Sequence, residues 1–500
     1  MKLATAYQMR MIDEKTQNEW SIPADLLMER AALSVAQFLK TKLSGVYGKK
    51  IYLFCGKGHN GGDGLALARI LKQDQAEAVV VLVSEPSLYQ GLAKLNLDRA
   101  DRYHVPIVQW EDFNLWELAS ADLIVDGLLG TGAQGPPYGI YPSVIGEINR
   151  AGRTVVALDI PSGVDVDSGR IWNEAVKANY TVTFGLAKPG LLIYPGAEFA
   201  GEVIVSSIGF PNELLESGEL TAHSLTVANI AAMLPERTVT AHKGSTGHSL
   251  VIAGSTGMTG AATLAAIGAL RSGCGRVTLG IRDDLWVVEK PMEVITLTWN
   301  QLKDLSNYES IVIGPGLTTA EDGKALLHEL LQNATVPLVI DADGLNLLAS
   351  DINLLKANCK PIILTPHPGE MARLTGLTVA AIQENRHQIA VKYAKEWNAV
   401  VVLKGARSII ALPDGRSFIN LTGNSGMATA GMGDVLAGII SGLVAQGLPI
   451  NEAAIVGTFL HGLAGDCVAE KNGSIGMLAG DLLAEIPKAI RKIQMNNDTI

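Results

Sequence analysis

Two groups of residues in this 500-residue chain have the types and spacing of chemical machinery. The later one is Asn424 to Gly438, reading N-S-G-M-A-T-A-G-M-G-D-V-L-A-G. Gly426, Gly431 and Gly433 lead to a single carboxylate, Asp434, at the mouth of an apolar helix predicted from Val435 to Val444. Glycines let backbone N–H groups crowd around an anion, and a helix N-terminus adds partial positive charge, so this turn suits a phosphate. A carboxylate there would stand beside bound phosphate, placed to take a proton from a substrate hydroxyl. The spacing alone also fits an ordinary glycine-rich turn with Asp434 as N-cap. Upstream, Lys404 and Arg407 in K-G-A-R-S offer charge for phosphates, and His367, between two prolines, is rigidly held as for substrate positioning.

The earlier group lies in three loops: Gly56 to Gly64 (G-K-G-H-N-G-G-D-G), Asp126 followed by Gly130 to Pro137, and Asp159-Ile160-Pro161-Ser162-Gly163. These loops offer Asn60, Asp63, Asp126, Asp159, Ser162 and many backbone amides. His59 is the one lysine or histidine expected in a catalytic position there. Oxygen ligands without thiols or paired histidines suit a hard cation, if any metal. Strand-end aspartates such as Asp126 and Asp159 also commonly just cap the loops that follow them.

The elements that must position these residues follow from hydrophobic pattern. Met9 to Leu39 has helical spacing split into two helices by Pro23. Strands are predicted at Lys50–Cys55, Ala78–Val83, Asp122–Val125, Thr154–Leu158, Thr181–Phe184 and Val203–Ser206, with a helix over Leu65–Leu71. The second half repeats the pattern at Ser249–Ala253, Arg276–Gly280, Ser310–Ile313, Leu338–Ile340, Pro361–Leu364 and Ala399–Leu403. A hairpin is expected around Pro413-Asp414-Gly415. Continuous Val/Ile/Leu strands alternating with helices mean parallel sheets buried on both faces. In such a sheet the loops after strands share one edge, so each half predicts one ligand site. The expected boundaries are a first domain over 1–210, a linker over 211–224 and a second domain over 225–495.

Composition narrows the function classes. With 48% hydrophobic and 18% charged residues the chain reads as globular, and a net charge of −10 argues against general nucleic-acid binding. Cys55, Cys274, Cys359 and Cys467 are widely spaced among apolar residues, as expected for reduced core cysteines of a cytoplasmic protein. Neither a signal peptide nor a membrane span is expected, because the longest uncharged runs are broken by Gly, Ser and Thr.

Taken together, the motifs resemble the bifunctional NAD(P)H-hydrate repair enzymes over nearly the whole chain. N-G-G-D-G, the D-x-x-x-G-T-G loop from Asp126 and A-L-D-I-P-S-G resemble the epimerase domain. H-K-G-x-x-G from His242, G-P-G-L, D-A-D-G-L-N, T-P-H-P-G-E, L-K-G and N-x-G-M-A-T-x-G-M-G-D-V-L resemble the ADP/ATP-dependent dehydratase domain. The resemblance implies two three-layer α/β/α domains, the first Rossmann-like and the second ribokinase-like. It implies that R and S hydrates of NADH or NADPH are interconverted, and that the S form is dehydrated at the expense of ADP or ATP with Mg2+. His59, Asn60, Gly61, Gly62 and Asp63, with Gly130, Thr131, Gly132, Ala133, Gln134, Gly135 and Pro136, would hold the hydrate in the first domain. Asn60, Asp126 and Ser162 would bind K+, and Asp159 would act at the reacting ring. In the second domain Ala253, Gly316, His367 and Asp434 would contact the hydrate, with Asp434 as base. Lys404, Gly405, Ala406, Arg407 and Ser408 would hold the nucleotide. So would Asn424, Ser425, Gly426, Met427, Ala428, Thr429, Ala430, Gly431, Met432 and Gly433. A homo-oligomer is expected, as ribokinase-like relatives often assemble. His59 stands where the family commonly has asparagine.

Two other readings compete. A small-molecule kinase would use the same Gly-x-Gly-Asp turn for phosphoryl transfer but would not need the first domain. The first domain could also be a binding module, a reading opposed by Asp159 and the cation-type ligands.

Overall fold

The structure is a computed structural model that describes residues 1–287, 290–355 and 361–495. The chain forms two compact units, Lys2–Ala222 and the chain from His223 onward. The segment read as a linker is therefore divided. It carries the short helix Asn212–Leu215 and the strand Ala222–Ser224, and its residues up to Ala222 belong to the first unit. A polar composition without periodicity hid a turn of helix too short to show a period.

In the first unit seven strands lie in the spatial order Ile107–Gln109, Glu77–Leu82, Lys50–Cys55, Leu123–Gly127, Val155–Leu158, Tyr180–Phe184 and Glu202–Ser206, all parallel to their neighbours. The order reverses direction between Lys50–Cys55 and Leu123–Gly127, which pair with Phe54 opposite Asp126 and Cys55 opposite Gly127. A crevice opens where a parallel sheet reverses in this way, and the loops after these two strands border it. Tyr52, Phe54, Ile51 and Leu53 are fully buried on both faces of the central strand. Each such side chain contributes about 1.5–3 kcal/mol of apolar burial. Ile107–Gln109 is an edge strand of three residues, too short for its pattern to stand out.

Two helices precede the sheet. Ala6–Asn18 begins at a capping box of Thr5 and Gln8, and Ala24–Lys42 begins after Pro23, as the proline suggested. The glycine loop is shorter than predicted. The helix starts at His59 and runs to Gln73, so Gly61, Gly62, Asp63 and Gly64 lie in its first two turns. Gly61 is required there, because a Cβ would come within 1.6 Å of the Gly56 carbonyl oxygen. Glycine's low helix propensity is overridden by this close packing of helix on strand end.

In the second unit the strands run in the order Ser417–Ile419, Ile409–Ala411, Val400–Leu403, Ile362–Leu364, Leu338–Ile340, Ser310–Ile313, His248–Ile252, Arg276–Ile281 and Ile295–Thr298. The sheet is parallel from Val400–Leu403 through Ile295–Thr298, and the hairpin around Pro413 adds antiparallel strands at one side. Ile295–Thr298 is again an unpredicted edge strand. The helix Met432–Ala445 is buried along its whole length from Val435. It packs at backbone distance on the helix Thr259–Arg271: a Cβ on Gly438 would stand 2.0 Å from the Ala265 carbonyl oxygen. Small residues thus lock the helix that carries Asp434.

Cys55, Cys274 and Cys467 are buried and unpaired, and Cys359 lies outside the described residues. Among the described residues no helix is long and apolar enough to cross a membrane.

Candidate functional sites

The first unit contains a cleft of about 1070 Å³ at the sheet reversal. Its wall includes His59, Asn60, Asp63, Gly130 to Pro136 and Asp159, all singled out in the sequence. Gly61 and Gly62 are buried behind the wall; Gly62 faces the Met28 side chain.

Asn60 in the wall and Ser162 behind it meet at the backbone of Leu129, and Ser162 in turn bonds to the buried Asp126. The Asn60 amide donates to the Leu129 carbonyl at 2.9 Å, and the Leu129 N–H donates to Ser162 Oγ at 2.9 Å. The Ser162 hydroxyl donates to Asp126 Oδ1 at 2.6 Å, and the Ser162 N–H donates to Oδ2 at 2.8 Å. Asp126 is fully buried; burial pushes its carboxyl up to about 6 despite the Ser162 and Leu128 donors. Asn60 Oδ1 is buried and has no partner among the described residues. A buried carbonyl oxygen without a partner is costly, and a cation would satisfy it.

Asp159 sits at the end of its strand with φ of 63°, a left-handed conformation that non-glycine residues adopt at a cost of about 1–3 kcal/mol and chiefly at functional sites. Its Oδ1 accepts from Lys188 Nζ at 2.5 Å, Thr183 Oγ1 at 3.1 Å and the Phe184 N–H at 3.1 Å. Lys188 is only 1% exposed. The sequence singles out His59 among the lysines and histidines of the three loops; Lys188, outside those loops, also lines the cleft. Lys188 belongs to the L-A-K-P-G loop after Tyr180–Phe184, and the rule that such loops share the ligand edge would have found it. Asp13, on the first helix, also reaches the cleft. Burial, then the charges of Asp159 and Asp13, holds the Asp63 carboxyl well above the usual range. Asp13 is raised by burial too, against the attraction of His59.

In the second unit the helix starts at Met432, three residues before the expected Val435, so Asp434 is not its N-cap. Gly431, at φ of 89°, caps the helix, and Asp434 lies in its first turn. A Cβ on Gly433 would stand 3.3 Å from Lys404 Nζ and 3.7 Å from Asp341 Oδ2, so only glycine leaves that corner open. Asn424 closes the preceding turn: its Oδ1 accepts from Gly426 N–H at 3.0 Å, and its amide donates to Asp466 Oδ1 at 2.9 Å.

Lys404 points inward. Its ammonium donates to Asp341 Oδ1 at 2.6 Å and lies 3.7 Å from Glu370 Oε2. Burial alone would depress this lysine, but the charges of Asp341, Glu370 and Asp434 outweigh it and hold it above its usual value. Asp341 is 1% exposed, and its Oδ2 has no partner among the described residues. Asp434 is held up at about 7, first by burial and then by Asp341, with Lys404 opposing. A carboxyl so placed changes its charge near neutral pH.

His367 caps the helix Pro368–Thr375: its Nδ1 accepts from the Gly369 N–H at 2.9 Å, and Glu370 Oε2 accepts from the His367 N–H at 2.7 Å. Arg407 donates to the Leu421 carbonyl. Arg386, unnoticed in the sequence, is buried behind the 403–406 loop and donates to the carbonyls of Ala406 at 2.6 Å, Lys404 at 3.3 Å and Leu403 at 3.4 Å. Ala253 ends the strand His248–Ile252, and Gly316, at φ of 61°, follows Ser310–Ile313. A Cβ on Gly316 would stand 2.9 Å from the Met258 carbonyl oxygen, so the two loops are in close register.

Comparison with known proteins agrees with this division. The profile of a family described as NAD(P)H-hydrate dehydratase matches residues 249–488, and that of YjeF-related protein N-terminus matches residues 24–190. The chain is 42% identical to the bifunctional NAD(P)H-hydrate repair enzyme Nnr of Moorella thermoacetica, covering 100% of this chain and 98% of that protein. It is 35% identical to the enzyme of the same description from Escherichia coli, covering 88% and 84%. Among solved structures it is similar to the ADP/ATP-dependent NAD(P)H-hydrate dehydratase from Bacillus subtilis co-crystallized with ATP/Mg2+. There the TM-score is 0.50 at 32% identity, over 54% of this chain and 98% of that one.

Proposed function

The chain belongs to the family of bifunctional NAD(P)H-hydrate repair enzymes, and from that premise we propose how each domain performs one of the two repair reactions. The first domain interconverts the R and S hydrates of NADH and NADPH in the 1070 Å³ cleft. His59 to Asp63 and the loop Gly130 to Pro136 hold the dinucleotide. Asp159, held by Lys188, takes the proton of the ring hydroxyl as the bond from the hydroxyl-bearing carbon to the ring nitrogen opens to an aldehyde and the nitrogen takes up a proton. The nitrogen then closes on the other face of the aldehyde, the protons return, and the carbon is inverted. Asn60, Asp126 and Ser162 would hold K+, which would supply fixed positive charge; the unpartnered Asn60 Oδ1 and the bonded Asp126–Ser162 pair are oxygen ligands of the kind such an ion takes.

The second domain removes water from the S hydrate. Asp434 takes the proton of the ring hydroxyl, and the oxygen attacks the terminal phosphoryl group of ADP or ATP. AMP or ADP leaves; the phosphate ester then departs from the ring as inorganic phosphate, the adjacent ring carbon gives a proton to the departing phosphate, and the double bond of the reduced nicotinamide is restored. The glycine turn Asn424 to Gly433 and the loop Lys404 to Ser408 cradle the nucleotide, while Ala253, Gly316 and His367 contact the hydrate. Among the described residues no cluster of three or more His, Cys, Asp or Glu side chains would hold a metal by itself. Mg2+ bound with the nucleotide would neutralise phosphate charge in this site.

The observation that carries this reading is Asp434, held at about 7 in the first turn of a helix that opens on a glycine turn. Release of phosphate measured against NADH regained tests it: one phosphate per NADH is expected, and a stable phosphorylated product would instead indicate a kinase. The buried, unpaired cysteines support a cytoplasmic setting, and light scattering tests the homo-oligomer.

A further inference from the structure

We propose that Lys188 is the positioning residue of the epimerase site, fixing the Asp159 carboxylate so that Oδ2 alone faces the substrate. The inference rests on the reading of Asp159 as the base.

All the donors to Asp159 arrive on one oxygen. Lys188 Nζ, Thr183 Oγ1 and the Phe184 N–H converge on Oδ1, and none of these bonds goes to Oδ2. Both residues line the cleft, but the Asp159 side chain is 14% exposed and the Lys188 side chain 1%. A carboxylate held by three donors on one oxygen cannot rotate, so its second oxygen keeps a single direction.

Lys188 is fully engaged by this arrangement. Its ammonium has three N–H groups and three acceptors: Asp159 Oδ1, Thr183 Oγ1 at 2.8 Å and the Phe184 carbonyl at 3.0 Å. No proton is left to donate to a ligand, so Lys188 acts through Asp159 and not on the substrate. A buried ammonium needs a paired charge, and the pair is fixed here by a shared hydroxyl and by the backbone at Phe184. The strained φ of Asp159 belongs to the same device, because it brings the side chain back over the end of Tyr180–Phe184.

The test follows exchange between R and S hydrates in the full-length protein, with no adenine nucleotide, for wild type, Lys188→Met and Thr183→Val. Exchange by the wild type is the precondition: its absence would overturn the epimerase reading itself, separately from this inference. The expected result for Lys188→Met is a fall in kcat on the order of 10²-fold with KM nearly unchanged, as for a misdirected catalytic group. Unchanged kcat, or a loss confined to KM, would overturn the proposal. If Lys188→Met does not fold, Thr183→Val carries the test, since it keeps both charges and removes the shared hydroxyl. A fall in kcat of about 3- to 10-fold at constant KM is then expected for one lost hydrogen bond, and an unchanged kcat would overturn the proposal.

Discussion

Replacing Asp341 with asparagine should move the acid limb of the dehydration reaction to lower pH. In the wild type Asp434 is half-ionised at about pH 7. About half of the base is therefore competent at pH 7 and about a tenth at pH 6. Asp341 is the charged neighbour that raises Asp434 most, and it also engages Lys404 at 2.6 Å. Asp341→Asn removes the like charge and releases the ammonium toward Asp434, so both effects stabilise the carboxylate form. A neighbouring charge of this kind is worth at least about one pH unit, or ~1.4 kcal/mol. The half-point should fall to about 6, and the rate at pH 6 should rise from about a tenth to about half of the variant's own plateau. The assay is kcat/KM for S-hydrate with saturating ADP and Mg2+ between pH 5.5 and 8.5, followed by the return of reduced-nicotinamide absorbance, with circular dichroism as the folding control. The plateau itself is expected to drop, since Lys404 keeps only Glu370 at 3.7 Å. A limb that stays at 7 or moves upward would refute the role of Asp341 and the identity of the titrating base.

Other perturbations separate the two domains. Asp434→Asn should abolish dehydration while epimer exchange, read by NMR or chromatography, continues at the wild-type rate. Asp159→Ala should leave a protein that dehydrates only the S hydrate, so that recovery from an equal mixture slows at about half to the spontaneous rate of exchange. Gly61→Ala places a Cβ within 1.6 Å of the Gly56 carbonyl oxygen and should cost several kcal/mol in the first domain, on the order of ~3 or more, visible as a lower first thermal transition with dehydration retained. Exchanging K+ for a large organic cation should lower that transition by several degrees in the wild type, and Asn60→Ala should remove the difference.

The parallel sheets and both ligand edges were legible because long Val/Ile/Leu strands such as Lys50–Cys55 and Ser310–Ile313 carry their own signal. The phosphate turn and Asp434 were legible for a related reason: glycines at 426, 431 and 433 have few roles besides close backbone approach. Edge strands of three or four residues, Ile107–Gln109 and Ile295–Thr298, were not, since partners in the sheet, not local pattern, make them strands. The start of the helix at His59 was hidden because Gly61 and Gly62 argue against a helix locally while tertiary packing demands them. Lys188 and Arg386 share another cause, since each works through a partner far away in sequence: Asp159 lies 29 residues from Lys188, and Ala406 lies 20 from Arg386. Spacing shows neither pair, although the place of Lys188 after a strand puts it on the ligand edge. The D-A-D-G motif marked the loop of Asp341 but not its bond to Lys404, 63 residues away.

The most direct test of the central claim uses purified wild-type protein with both epimers of NADH hydrate, K+, Mg2+ and either ADP or ATP, following reduced-nicotinamide absorbance. Complete, nucleotide-dependent recovery from both epimers is the predicted result. Recovery that halts near half would contradict catalysis by the first domain, and no recovery with either nucleotide would contradict the dehydratase assignment of Asp434.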